Sequence, residues 1–412
     1  MGNKKQIIEI SNGNIASPIG FKSSGVSAGL KQNGALDLAL IFSECPAVTA
    51  GVFTANLFIA APVQYCKDNL KDNIYSRAII INSGNANACT GESGYNDAIA
   101  MADHTARQLN LDSDNVLVAS TGRIGVALPM IKIKEGITEA VSSLSYNGGH
   151  AAAKAIMTTD TRSKEIAVQI NIDGKIITIA GMAKGAGMIS PKLTPPHATM
   201  LAFITTDANV SHPYLKSILL SAADESFNRI SVDGDMSTND SLFIMANGKA
   251  ENNLLDSHSP NSILFAETVK KVACYLAKEI VKDGEGITKL VTLKIEHAAS
   301  EKDAKLCAEA IANSLLCKTA WFGCDPNWGR IVAAAGYSGA VFDPNKVNIY
   351  YDHIPVVLDG HDARTPEKDV VKILRNNNFT LKIDLSAGIC SYYMWTNDIS
   401  YEYVKINADY HT

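Results

Sequence analysis

The apolar residues of this chain fall in short runs. Runs such as Ala78 to Ile81 are strand-sized, and none approaches the roughly 18 consecutive apolar residues of a membrane span. Turns rich in glycine, asparagine and serine separate them, so the core has to be assembled by pairing strands and laying helices over them. Val168, Ile170 and Ile172 alternate at period two, and Asp173-Gly174 then makes a hairpin turn into Ile176 to Ile179. Ile99, Ala102, Ala106 and Leu109 keep a helical spacing after the loop from Asn82 to Gly94, the one clear helix of the first half. Phe265, Val269, Val272, Leu276 and Ile280 trace the stripe of a long helix that ends before Asp283-Gly284. Ser300-Glu301-Lys302-Asp303 is a capping-box start for another, carrying Ala304, Ala308, Ile311 and Leu315 on one face. Strand-like Val347 to Tyr351, Val356 to Leu358 and Phe379 to Leu385 follow. Mixed sheets with helices on their outer faces satisfy this pattern, so the class is α+β or mixed α/β.

At 412 residues, with 46% apolar and 19% charged side chains, the chain can bury a large core and is expected to form two or three domains at roughly 150 residues each. Its 37 basic and 42 acidic residues give a formal charge of −5, with no basic block. A nucleic-acid partner is therefore not expected, and a small molecule is. The start, from Met1 to Glu9, lacks a signal-peptide hydrophobic stretch, so no membrane association and a cytoplasmic location are expected. The eight cysteines include no Cys-x-x-Cys and no cluster with histidine, which suits reduced thiols, most of them small core residues. Gly185-Ala186-Gly187 lacks a third glycine at the dinucleotide spacing, and no P-loop is present. Asp233-Gly234-Asp235 begins like a calcium loop, but Thr238 stands where its turn glycine would be. No metal or cofactor is called for.

The dense signal is Gly181-Met182-Ala183-Lys184-Gly185-Ala186-Gly187, followed by a strand-like segment that opens at Thr199-Met200-Leu201. A threonine alcohol is a weak nucleophile without a base. Cleavage between Ala198 and Thr199 would supply one, because the freed α-amino group, with a reference pKa of about 7.7 to 8.0, sits on the same residue. By spacing alone, however, a threonine at a strand start is an ordinary strand residue and Lys184 an ordinary loop charge.

Several separated blocks nevertheless occur in a telling order. They are Asp37 to Phe42 with Gly51-Val52-Phe53-Thr54, Ser83-Gly84-Asn85-Ala86-Asn87-Ala88-Cys89-Thr90-Gly91, Ser120-Thr121-Gly122-Arg123 and Ile156-Met157-Thr158-Thr159-Asp160-Thr161. The Lys184 segment, Asn228 to Asp235, Val281-Lys282-Asp283-Gly284-Glu285-Gly286, Asn327-Trp328-Gly329-Arg330 and the ending Tyr403 to Thr412 complete them. Over nearly its whole length the chain resembles the ornithine acetyltransferases, or glutamate N-acetyltransferases, of arginine biosynthesis.

The resemblance implies a layered α-β-β-α sandwich of the kind shared with self-cleaving aminopeptidases. It implies a precursor that cuts itself into segments 1–198 and 199–412, an alpha and a beta chain that assemble as a heterotetramer of two each. Thr199 would take acetyl from N2-acetylornithine and pass it to L-glutamate in a ping-pong reaction, and some members also use acetyl-CoA as donor. Thr121 and Gly122 match the oxyanion-hole pair, and Thr158, Lys184, Glu285, Asn407 and Thr412 match substrate contacts. The segment between Ser190 and Ala198 is longer than the family's usual form, and Asn56-Leu57-Phe58-Ile59 lacks its usual basic residue. Two alternatives stay open: a self-activating N-terminal-nucleophile hydrolase or aminopeptidase, and an uncleaved amino-acid-binding protein.

Overall fold

The computed structural model describes residues 7–32, 34–190 and 200–409. They divide into two compact units. One runs to Asn228 and includes Asp235–Ile280, and the other joins Arg229–Gly234 to the chain from Val281 onward.

In the first unit nine strands form one sheet: β1 Ile8–Glu9, β2 Phe21–Val26, β3 Leu38–Phe53, β4 Tyr75–Asn85, β5 Val116–Arg123, β6 Lys164–Ile172, β7 Lys175–Lys184, β8 Leu201–Thr206 and β9 Ser241–Ala246. The order is β1-β6-β7-β8-β9-β3-β4-β5, with β2 also on β3. The sixteen-residue β3 joins the sheet's two halves. It pairs with β2 up to Ser43 and with β4 up to Phe42 and, after a register break, again at Ala47 and Val48; from Val48 it pairs with β9. Inward side chains of both halves, among them Ile79, Ile81, Leu117, Phe203, Phe243 and Met245, share one core. The faces turned away from it carry helices. α1 Ala61–Asp72, α2 Gly91–Leu109 and α3 Met130–Ser142 lie on the β3–β5 side, where Leu40, Ile80 and Val118 meet Met101, Ile133 and Ile137. α4 Gly149–Ala155 contributes Ala152, Ala153 and Ala155 to the inner core. α5 His212–Asp224 and α6 Ser262–Lys282 cover the other half, with Val272 and Leu276 of α6 seated on Gly181 of β7. Helix, sheet, sheet, helix is the layered order that the resemblance implies.

The second unit holds a six-stranded sheet of β10 Leu290–Ala298, β11 Asn348–Tyr351, β12 Ile354–Leu358, β13 His361–Asp362, β14 Asn378–Asp384 and β15 Cys390–Asn397. Its order is β13-β12-β11-β14-β10-β15, with only β10 and β14 parallel. Alternation puts Val291, Leu293 and Ile295 inward beside Phe379, Leu381 and Ile383. α7 Glu301–Ala312, α8 Leu315–Phe322, α9 Trp328–Gly336 and α10 Glu367–Leu374 close that core, and α11 Tyr401–Asp409 ends the described chain.

Most of the local signals hold, but Leu315, expected on the face of α7, lies beyond its end at Ala312 and is exposed at the start of α8. Asp173 and Gly174 adopt positive φ at 53° and 85° in the β6–β7 turn, and the Ser300 hydroxyl caps α7 by accepting from the Asp303 N–H. Beside the one helix that the spacing predicts in the first half, α1, α3 and α4 also form there; their buried faces draw largely on small residues, such as Ala61 and Cys66, Gly136 and Ala140, and Ala152, Ala153 and Ala155, which leave little apolar stripe in the sequence. The cysteines also depart from expectation: all eight are free, but only Cys66, Cys307 and Cys317 are buried, and Cys89 is exposed on a left-handed turn. Among the described residues no helix is long and apolar enough to cross a membrane.

Candidate active site

In the first unit the site residues are gathered at strand ends. β4 and β5 run parallel and in register, Ser83 beside Thr121 and Gly84 beside Gly122, so the end of β5 is held against the asparagine-rich end of β4. Gly122 has φ +129°, and a Cβ there would lie 2.5 Å from the Asn85 nitrogen, so only glycine lets the two turns close together. Buried amides brace the approach. Asn239 Nδ2 donates to the carbonyls of Ala86 (2.5 Å) and Ser120 (2.9 Å), the Ser120 hydroxyl donates to Asn82 Oδ1 (2.6 Å), and Asn82 Nδ2 donates to the Asn85 carbonyl (2.8 Å). The Ser83-Gly84-Asn85-Ala86-Asn87 block is therefore a scaffold beside Thr121-Gly122, its own amides also committed: Asn85 Nδ2 donates to the carbonyls of Val126 and Ala127, and Asn87 Nδ2 to that of Gly94.

Lys184 closes β7. Although 5% exposed, it donates from Nζ to Thr121 Oγ1 at 3.3 Å, bringing together residues 63 apart in sequence. In the ladder Lys184 stands beside Leu201, the first residue of β8, and the Met200 carbonyl accepts from the Ser241 N–H at 3.0 Å. The described chain thus resumes at Met200, beside Lys184. Thr199 itself, Ala198 and Thr412 lie outside the described residues.

Between Thr158 and Lys184 sits a residue whose block the sequence displayed but to which it attached no role. Asp160 is completely buried with Lys164, and the pair is 2.6 Å apart. Asp160 Oδ1 also accepts the Gly185 N–H (2.7 Å), and Oδ2 accepts the Thr158 N–H (2.9 Å). One carboxylate ties the main chain beside two candidate substrate contacts. Burial works against its charge, but the ammonium groups of Lys164 and Lys184 and the Gly185 N–H hold its pKa down to about 2. The one signal available in sequence was the i, i+4 spacing of Asp160 and Lys164.

In the second unit Glu285, 6% exposed, follows the end of α6 in a tight turn, and its Oε2 accepts from Asn407 Nδ2 of α11 at 2.7 Å. Gly286, at φ +66°, is pressed by the Glu402 Cβ, 2.7 Å from where a side chain would begin. The turn and helix α11 therefore come together through glycine. The structure so joins Thr121, Gly122, Thr158 and Lys184 within one unit, and Glu285 with Asn407 in the other.

A family model described as the ArgJ family matches residues 22–412. The chain belongs to the ArgJ family. It is 50% identical over 413 residues to the arginine biosynthesis bifunctional protein ArgJ of Dehalococcoides mccartyi, covering 99% of this chain and 100% of that protein. It is 44% identical over 410 residues to the protein of the same name from Oceanobacillus iheyensis, covering 99% and 98%. Among solved structures it is similar to the ornithine acetyltransferase of Mycobacterium tuberculosis complexed with ornithine. That likeness is 42% identical, covers 46% of this chain and 100% of that one, and has a TM-score of 0.44. Family membership also accounts for the order of the separated blocks, since Ser83 to Gly91, Thr121-Gly122, Lys184 and Glu285 all fall within the matched span.

Proposed function

We propose that this enzyme, an acyltransferase of arginine biosynthesis, moves acetyl from N2-acetylornithine to L-glutamate through an ester on Thr199. The observation that carries the reading is Lys184, paired with Leu201 in the ladder, donating to Thr121 at the end of β5. Self-cleavage at Ala198–Thr199 would leave the pieces 1–198 and 199–412. The Thr199 hydroxyl would attack the Ala198 carbonyl, the acyl group would shift from nitrogen to oxygen and so free the Thr199 amine, and water would then hydrolyse the ester to leave the Ala198 carboxylate and the Thr199 hydroxyl.

Turnover repeats this chemistry on a bound donor. The Thr199 α-amine takes the hydroxyl proton as Oγ attacks the acetyl carbonyl. Negative charge gathers on the carbonyl oxygen, where the Thr121 hydroxyl and the Gly122 N–H donate to it. Lys184 has donors only, so its bond to Thr121 uses an oxygen lone pair and leaves the threonine's own proton for the oxyanion. Collapse breaks the amide bond, and the departing ornithine nitrogen takes the proton from the Thr199 amine. The glutamate amine then attacks the ester and loses its proton to the same base, which returns it to the departing Thr199 oxygen as the ester bond breaks and N-acetylglutamate leaves. Thr158 and Lys184 are assigned to the substrate carboxylate, and Glu285, Asn407 and Thr412 to the amino acid's remaining polar groups.

The relatives are named bifunctional, which favours acetyl-CoA as a second donor to the same threonine. The cleaved pieces are proposed to assemble as a heterotetramer of two alpha and two beta chains in the cytoplasm. Mass spectrometry after brief exposure to N2-acetylornithine tests the core of this reading. One added acetyl group on the piece 199–412, absent in Thr199→Ala, is expected. An acetyl group elsewhere, or turnover by Thr199→Ala, would refute it. Acetate released without glutamate would favour the hydrolase reading instead.

A further inference from the structure

Two stretches that the mechanism leaves largely unused, 231–234 and 281–284, meet the end of β15 near one buried lysine. Lys318 of α8 is 1% exposed, and its ammonium donates to Thr396 Oγ1 (2.8 Å), the Asn397 carbonyl (2.8 Å) and Asn397 Oδ1 (2.9 Å). Burial pushes its pKa down to about 7, against the attraction of Asp233 and Asp398. An apolar side chain of similar volume would occupy such a place at lower cost, so the reason for an ammonium lies in what it holds.

It holds Asn397, which is fully buried. A side-chain amide offers an oxygen at one end and NH2 at the other, and either can point either way. The Lys318 nitrogen, donating here to three oxygens, decides the matter: when protonated it can only donate, so the oxygen faces Lys318 and the NH2 faces the turn after α6. There Asn397 Nδ2 reaches the Val281 carbonyl at 3.4 Å and lies 2.6 Å from where a Cβ on Gly284 would begin. Val232 closes the other side of that position, its Cγ1 at 3.3 Å. The next residues grip the far end of the turn. Asp398 Oδ1 accepts the N–H groups of Thr288 (2.8 Å) and Lys289 (2.9 Å), its Oδ2 accepts the Thr288 hydroxyl, and the Ser400 hydroxyl donates to the Gly286 carbonyl (2.5 Å). Glu285 lies at the centre of the grip.

We propose that Lys318 is a positioning residue for the amino-acid substrate: by orienting the Asn397 amide it sets the 281–289 turn, so that the Glu285 carboxylate is aimed at the substrate's amino group. This rests on the reading of Glu285 as a substrate contact. The tests are Lys318→Met, which removes the cation while keeping an unbranched stem, and Asn397→Asp, which keeps acceptors for Lys318 but loses the donor to Val281. Each is compared with Glu285→Gln in steady-state kinetics with N2-acetylornithine and glutamate, with urea unfolding in parallel. Both variants are expected to raise KM for the amino acids roughly tenfold, the loss of one charge-assisted contact, with kcat within about threefold. Adding either to Glu285→Gln should raise KM little further. If Glu285→Gln raises KM and Asn397→Asp does not, the positioning role is wrong, whether or not Lys318→Met folds. A Lys318→Met protein that is less stable but keeps wild-type KM would overturn it equally. If Glu285→Gln itself leaves KM unchanged, the assignment of Glu285 fails and the proposal with it.

Discussion

Replacing Asp160 by asparagine tests the polar centre of the larger unit. The carboxylate accepts from three donors, the Lys164 ammonium and the N–H groups of Gly185 and Thr158, and neither Asp160 nor Lys164 is exposed. Asparagine keeps the shape but brings an NH2 that faces donors on whichever side it turns, and it leaves the Lys164 cation buried without its counterion. Breaking a buried pair from one side costs about 3–5 kcal/mol. Protonation bears on the same group: burial works against its charge, but Lys164, Lys184 and the Gly185 N–H hold the Asp160 pKa below the ordinary 3.8, so the charged form stabilises the fold. Because the folded pKa is the lower one, that stability is complete above pH about 4 and is lost as pH falls toward 2. Urea unfolding of wild type, Asp160→Asn, Lys164→Met and the double variant closes a thermodynamic cycle. The single variants should each lose several kcal/mol, the double variant should recover much of the loss, and the wild type should weaken more steeply than Asp160→Asn between pH 4 and 2. If Asp160→Asn unfolds within about 1 kcal/mol of wild type and the cycle shows no coupling, the buried pair does not act as described.

Gly122→Ala forces a Cβ to within 2.5 Å of the Asn85 nitrogen at a φ of +129°, so it should displace the β5 end. Acetyl transfer should fall about 10²–10³-fold, the scale of losing one oxyanion donor, and single-turnover acetylation of Thr199 would measure it. Lys318 predicts a stability profile at the other end of the pH scale. Its pKa is lowered to about 7, so between pH 7 and 10.5 the unfolded chain binds a proton that the folded chain has released. Wild-type stability relative to Lys318→Met should therefore rise from about pH 7 to 10.5 and stay level below 7, as read from urea midpoints. A flat difference would refute a desolvated ammonium.

Most of what could be read locally was read correctly because its causes are local. Asp173-Gly174 turns the β6–β7 hairpin since those residues tolerate positive φ, Ser300 caps α7 with its own hydroxyl, and the stripes of α2 and α6 follow the helical period. The order of the blocks also carried the family, and with it Thr121, Gly122, Lys184 and Glu285 as candidates. Sheet order was beyond such reading. That β3 bends from β4 to β9, or that β8 runs parallel to β9, depends on apolar faces matching across long separations, and period-two alternation describes a face without naming its partner.

The roles of Asp160 and Lys318 belong to that second kind. In sequence each is one charged residue among many. Only the tertiary structure strips away their water, and once buried, each has to satisfy its charge against the few groups the fold places within reach. For Asp160 these include the N–H groups of Thr158 and Gly185, and for Lys318 they include Asn397, which it turns toward the bend that carries Glu285. The sequence determined which chemistry was available; the packing of distant strands decided which charges would govern its geometry.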